Sequence, residues 1–227
     1  MQNLKPIETE IILDEKNKQQ LKLNELLIFP HGLDGLHIWE AGIILARYIV
    51  FNSQLFSNKD ILEVGTGVGI GGLAALKYTE CKRVDMTDYN QDVLANIKKN
   101  SEKNSISKQR YDVFYLNWFE YDKFNKKYDV IIGSDIIYSG APLKELYLLI
   151  SKSLNKGGKA YIIIPSQRFK GEVFLQLVED YKEFSVEKIA LDQTEYSLSP
   201  LKDQTQGFKT YPGLKELQFW VYIFTKI

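Results

Sequence analysis

The 227-residue sequence has one cysteine, two histidines and no excess of either charge, 29 basic side chains balancing 29 acidic ones. A lone Cys81 excludes an internal disulfide and a thiolate zinc cluster, so it reads as a small hydrophobe near a strand edge and no metal is expected. The balanced charge gives no sign of nucleic-acid binding. Long hydrophobic runs are missing too: the longest, Ala41 to Phe51, is broken by Arg47, and no segment reads as a bilayer span. The start, Met1-Gln2-Asn3-Leu4-Lys5-Pro6, lacks the apolar core of a signal peptide. These absences predict a cytosolic protein, with nuclear entry left open. The length suits a single domain over residues 1–227, its first 60 residues forming an appendage.

What is present centres on Ile61-Leu62-Glu63-Val64-Gly65-Thr66-Gly67-Val68-Gly69-Ile70-Gly71-Gly72, an apolar run with an acid near its end, followed by glycine on alternate positions. A buried parallel strand reads as continuous aliphatics, and glycine lets the following turn bend tightly and approach a ligand. Gly67, Gly69 and Gly72 also match a dinucleotide fingerprint, in a register that leaves two loop residues between the strand and the first glycine. Glu63 favours another ligand, because a carboxylate beside the turn repels a diphosphate and tolerates a cationic sulfonium. That points to S-adenosylmethionine. Downstream, Arg83-Val84-Asp85-Met86-Thr87-Asp88 reads as a strand ending in an acid, 21 residues beyond Gly67. Asp88 there suits ribose hydroxyls of either cofactor, or the N-cap of a helix starting at Gln91.

Strands and helices alternate from residue 61 onward, the pattern of a parallel sheet covered on both faces. The sequence predicts seven strands, near 61–64, 83–87, 111–115, 128–133, 158–164, 184–190 and 217–225, the last returning antiparallel. Helices are expected at 70–78, 91–103, 142–154 and 170–181, with Gly157-Gly158 as a helix stop. The segment 119–127 reads as too short and polar for a full helix. Residues 8–13 and 20–26 suit a hairpin, and 38–50 an apolar helix whose polar members, Glu40 and Arg47, share one side. From Asp192 to Lys215 the chain shows no helical period and reads as a long loop. Its Tyr196, Phe208 and Tyr211 suit gripping a protein surface.

Taken together, His37-Ile38-Trp39-Glu40-Ala41, Leu62-Glu63-Val64-Gly65-Thr66-Gly67, Thr87-Asp88, Asn117-Trp118 and Tyr128-Asp129-Val130-Ile131-Ile132-Gly133-Ser134-Asp135-Ile136-Ile137-Tyr138 resemble one family. It is the seven-strand S-adenosylmethionine-dependent methyltransferases, and within it the methyltransferase-like protein-lysine methyltransferases. The resemblance runs over roughly residues 31 to 190 and implies a Rossmann-like α/β fold. It also implies that Gly65, Thr66 and Gly67 lie against the methionine part of the cofactor and that Asp88 holds the ribose. Trp118, after Asn117, would flank adenine, and Trp39 and the Ser134 backbone would complete the pocket. Asp135 and Tyr138 would face the acceptor. Read from the residues alone, both tryptophans also suit core packing, and Asp135 a helix cap.

Methyl transfer from a sulfonium is an in-line displacement by a neutral nucleophile, so a lysine amine with a reference pKa of about 10.4 must first lose its proton. Tyr138 could aim the amine while Asp135 attracts the incoming ammonium, and such positioning supplies up to ~7 to 11 kcal/mol of a barrier. Ile136-Ile137 stand where enzymes acting on nucleobase amines resemble one another in a Pro-Pro pair, so an aliphatic amine fits better. The expectation is a protein-lysine methyltransferase acting as a monomer on a protein substrate, without nucleic acid or membrane. Histidine, arginine or small-molecule methylation, a nicotinamide-dependent oxidoreductase and a non-catalytic cofactor-binding partner stand as alternatives.

Overall fold

The computed structural model describes residues 5–27, 34–167 and 170–227. The first four residues of the expected leaderless start, and the beginning near residue 31 of the span that carries the resemblance, lie outside the described residues.

The chain opens with a hairpin of β1 (Ile7–Asp14) and β2 (Gln19–Glu25), antiparallel with Ile11 beside Leu21. Helix α1 (Glu40–Phe51) follows, then β3 (Asp60–Val64), α2 (Ile70–Tyr78), β4 (Arg83–Asp88), α3 (Gln91–Lys103) and β5 (Tyr111–Tyr115). A 3-10 turn over Trp118–Lys123 leads to β6 (Tyr128–Ser134), α4 (Leu143–Ser153), β7 (Leu154–Pro165), α5 (Gly171–Tyr181) and β8 (Phe184–Ala190). Three short helices, α6 (Gln193–Tyr196), α7 (Gln204–Thr210) and α8 (Gly213–Glu216), precede β9 (Phe219–Lys226).

The main sheet runs β5-β4-β3-β6-β7-β9-β8, parallel from β5 to β7, with β9 inserted antiparallel to both of its neighbours. This is the expected seven-stranded arrangement. Alternate residues of the central strands face two cores: Ile61 and Ile132 pack with α1, α2 and α3, whereas Leu62, Val64 and Ile131 pack with α4 and α5. In the parallel register Val64 stands beside Thr87 and Glu63 beside Ile132, which brings the ends of β3, β4 and β6 level at one edge. That edge carries the site.

Two expectations are corrected here. The helix stop at Gly157-Gly158 is instead a bulge inside β7, where the pairing jumps from Tyr128–Leu154 to Val130–Lys159; α4 ends earlier, at Ser153. The Asp192 to Lys215 loop is largely helical, each of α6 and α7 being capped by an aspartate, Asp192 and Asp203, that accepts from backbone N–H groups one turn on. Its aromatics face inward: Tyr211 and Tyr196 are buried and Phe208 packs on the core.

The polar side of α1 is buried as well. Arg47 is 0 % exposed, and its guanidinium donates to the carbonyls of Ile12, Tyr196, Leu198 and Ser199 at 2.7–3.2 Å. Burial pushes its pKa down to about 10, which leaves it charged at neutral pH. Four carbonyls from two segments thus converge on one cation.

The hairpin is held through its edge. Asn96 and Asn100 on α3 and Asn104 at its C-cap recur every four residues, so they line one face of it. Asn104 Oδ1 accepts from Lys22 N at 3.1 Å, Asn100 Oδ1 from Asn24 N at 2.8 Å, and Asn96 Nδ2 donates to Asn24 O at 3.0 Å. These amides give β2 the partners that a neighbouring strand would supply. Asn100 also donates to Val68 O at 2.9 Å, tying the hairpin to the glycine turn. Asn100→Ala should therefore destabilise the protein by about 1–3 kcal/mol, since it strands buried backbone groups; urea denaturation should show an earlier midpoint, and an unchanged one would refute the role.

Candidate active site

A cavity of about 600 Å³ opens at the carboxyl edge of β3, β4 and β6. It is lined by Trp39, Gly65, Gly67, Asp88, Asn117, Trp118, Ser134, Asp135 and Tyr138, nine of the residues singled out in the sequence. Glu63, Thr66 and Gly69 are not among the lining residues.

Glu63 is the main correction. It is buried with its carboxyl under α2, where Oε2 accepts from Gly72 N at 3.0 Å. A Cβ on Gly71 would come within 2.4 Å of Oε1, and one on Gly72 within 2.8 Å of Oε2, so the glycine pair makes room for the acid. Burial pushes its pKa up to about 8, opposed by the bond from Gly72. The charge argument that placed Glu63 beside a sulfonium does not hold, because an uncharged side chain turned away from the cavity attracts no cation. Thr66 is also structural: its N–H donates to Thr87 O and its Oγ1 accepts from Thr87 N, both at 2.9 Å, which stitches the turn to β4. Gly69 adopts a left-handed conformation at the N-cap of α2.

Within the cavity, the backbone at Gly67 runs close to that at Gly35. Gly67 holds φ +56°, and a Cβ there would sit 3.2 Å from Gly35 O. Asp88 accepts from Gly67 N at 3.3 Å and from Asn90 N at 3.0 Å, while burial raises its pKa. The N-cap of α3 falls to Asn90, whose Oδ1 accepts from Asp92 N and Val93 N, leaving Asp88 to the cavity. Trp39 is 37 % exposed and immediately precedes α1, with Nε1 donating to Asp34 O at 3.1 Å. Trp118 opens the turn that Asn117 caps by accepting from Phe119 N. Neither tryptophan is a buried core residue.

Asp135 follows β6 with φ +54°, a conformation that a short polar side chain tolerates better than most, and its N–H donates to Ile163 O at 3.0 Å. The kink sends Ile136 inward and lets Tyr138, 39 % exposed, reach the cavity wall. Burial raises the Tyr138 pKa, helped by Tyr89, Asp88, Asp34 and Asp135, so the phenol keeps its proton at neutral pH.

Several lining residues carried no signal in the sequence. Asp34 and Gly35 lie on a 3-10 turn before Trp39, and Tyr89, Val93 and Phe119 are further wall residues. Only the Asp-Gly pair, a turn dipeptide, could have drawn notice. Just behind this turn, His37 Nδ1 lies 3.2 Å from Glu25 Oε2. Burial would lower the His37 pKa, but the Glu25 carboxylate outweighs it and the value is raised. Glu25 itself is 1 % exposed and accepts from Thr9 Oγ1 at 2.6 Å, from Ile38 N at 3.2 Å and from Tyr211. The hairpin, the segment before α1 and the C-terminal helical connection meet on that one carboxylate.

A family model described as lysine methyltransferase matches residues 16–181. The histidine protein methyltransferase 1 homolog of Dictyostelium discoideum is 32 % identical over 131 residues, covering 56 % of this chain and 42 % of that protein, so the match spans less than half of the relative. The protein N-terminal and lysine N-methyltransferase EFM7 of Candida glabrata is 31 % identical over 178 residues, 73 % of this chain and 69 % of its own. Among solved structures, geranyl diphosphate methyltransferase in complex with S-adenosylmethionine superposes with a TM-score of 0.58 at 12 % identity, covering 82 % of this chain and 85 % of that one. That likeness establishes the fold.

The buried position of Glu63 generates a pH dependence. Its folded pKa, about 8, lies above the ordinary 4.5, so the folded chain holds a proton that the unfolded chain releases. The stability it contributes is complete below pH ~4.5 and is lost as pH rises toward 8. Glu63→Gln should lose less stability than the native chain between pH 5 and 8, by on the order of a few kcal/mol. Parallel melting curves for the two proteins across that range would contradict the assignment.

Proposed function

Because the chain belongs to the lysine methyltransferase family, we propose that it transfers methyl groups from S-adenosylmethionine to a side-chain amine of a protein, with lysine as the acceptor. The observation that carries this reading is the charge of the cavity. Its described lining holds three carboxylates, Asp34, Asp88 and Asp135, and no lysine, arginine or histidine. Such a site suits a sulfonium and an ammonium and disfavours a diphosphate or a nucleic-acid backbone. Its size also falls within the usual range of small-ligand sites, roughly 300–1,000 Å³.

The residues fit S-adenosylmethionine by their chemistry. Asp88 would accept from ribose hydroxyls, the backbone at Gly65 and Gly67 offers close approach to the methionine part, and Trp39 and Trp118 provide apolar walls. When bound, the cofactor supplies an electrophilic methyl group. This chain then has to orient an amine and free its lone pair. Asp135 draws the ammonium inward, and Tyr138, a neutral phenol, directs the nitrogen by hydrogen bonding. Partial desolvation by the aromatic lining favours loss of the ammonium proton, which passes to solvent water before the transfer. The name of the Dictyostelium relative keeps histidine as the second reading. Transfer of label from S-adenosylmethionine into a lysate of cells lacking the protein, with the modified residue identified by mass spectrometry, decides between them.

Asp88→Ala should weaken S-adenosylhomocysteine binding by about ten- to a hundredfold, the worth of a hydrogen bond to a charged acceptor; calorimetry showing native affinity would remove Asp88 from the cofactor site. Tyr138→Phe and Asp135→Ala should instead reduce turnover at least about tenfold while changing cofactor affinity little, since they act on the acceptor. Full turnover in either variant would refute that residue's role.

A further inference from the structure

Asp34 stands at the mouth of the cavity on a turn that the surrounding structure holds in place from three directions. Its carbonyl accepts from His37 N at 3.2 Å and from Trp39 Nε1 at 3.1 Å. Gly35 beside it packs so closely on α3 that a Cβ would come within 2.8 Å of Val93 Cγ2. Behind the turn, His37 is held by the buried Glu25. The backbone is thus fixed, while the Asp34 residue remains exposed and lines the cavity.

The three carboxylates of the lining divide by their attachments. Asp88 is engaged by the N–H groups of Gly67 and Asn90, on the side of the glycine turn. Asp135 sits at the end of β6, next to the turn that carries Tyr138. Asp34 lies on the segment before α1 and lines the same cavity as Asp135 and Tyr138; its charge acts on the Tyr138 hydroxyl together with those of Asp88 and Asp135. An ammonium beside that hydroxyl would therefore lie in the field of three carboxylates carried by three separate elements, of which Asp34 and Asp135 are the two not engaged by the glycine turn. A neutral imidazole in the same place would gain far less from either.

We propose that Asp34 is a specificity-determining residue of the acceptor subsite, pairing with Asp135 about Tyr138 so that the mouth selects a cationic primary amine over an uncharged imidazole. This rests on the reading of the cavity as a methyltransferase site, and it adds the chemical class that the site admits and a residue that chooses it.

The test uses two probes built on the cofactor, so that no protein substrate need be known. Both replace the cofactor's sulfur by nitrogen and carry an arm toward the acceptor side: in one the arm is ethyl–NH₂⁺–butyl, and in the other a methylene replaces the NH₂⁺. Calorimetry on the full chain, with S-adenosylhomocysteine as the reference ligand, should show the ammonium probe binding more tightly than its carbon counterpart. Asp34→Asn should shrink that preference by about three- to tenfold, with S-adenosylhomocysteine affinity unchanged, and Asp34→Glu should retain most of it. An equal preference in the native protein and Asp34→Asn overturns the inference, as does a loss of affinity shared by all three ligands, which would mark Asp34 as a structural residue. Failure of S-adenosylhomocysteine to bind the native chain would instead overturn the methyltransferase reading itself.

Discussion

The carboxyl group of Glu63, buried under the first turn of α2, is the constraint on which the site is built. Its Oε2 accepts from Gly72 N at 3.0 Å, and its volume is accommodated because residues 71 and 72 have no side chains. The bond satisfies one of the donors that open a helix. In this way β3 and α2 are locked at close range, and the turn between them, residues 65 to 69, has little freedom. Thr66 closes the same turn from β4. The backbone that borders the cavity is therefore shaped from beneath by groups that never enter it.

A second foundation lies behind the opposite wall. Arg47 gathers carbonyls from β1, from the last residue of α6 and from the segment that follows it, and Glu25 joins β2, the stretch before α1 and Tyr211. Glu40 adds a third tie by accepting from Gly213 N. The segment between β8 and β9 thus supports the turn that bears Asp34 and Trp39. A charged group buried this completely is costly unless its partners are all in place, so these contacts favour one arrangement of the N-terminal and C-terminal segments. Replacement of the 192–215 connection by a short linker would strand Arg47 and uncover the core around Tyr211.

The cavity combines a rigid, glycine-lined inner side with an outer side made of residues from three separate elements. Asp88 and the glycine turn come from adjacent parallel strands, whose register alone sets their spacing. Trp39, Phe119 and Tyr138 come from segments that follow no common period and converge only because α1 begins, and β5 and β6 end, near one edge. A cofactor side set by the sheet and an acceptor side set by its connections are what permit one fold to serve many acceptors.

Legibility in the sequence follows the same division. The strands from 61 onward, the helices up to α5 and the hairpin were readable because burial on one or both faces imposes a period on the residues, whereas α6 to α8 are too short to show one. Gly65, Gly67, Asp88, Asp135 and Tyr138 were readable because they sit at fixed offsets from strand ends, and the resemblance over those offsets extended to Trp39, Asn117, Trp118 and Ser134. Where a side chain has two directions to point, sequence was silent. Glu63 turned under the helix instead of toward the cavity, and Arg47 turned inward to four carbonyls instead of outward to water. Asn100 and Glu25 bond across separations of 76 and 186 residues, a kind of pairing that no local pattern records. The sequence determined the strands of the sheet, the helices up to α5 and which residues stand at the strand ends; only the tertiary structure decided which polar groups support the site and which enter it, because that depends on partners brought together from distant parts of the chain.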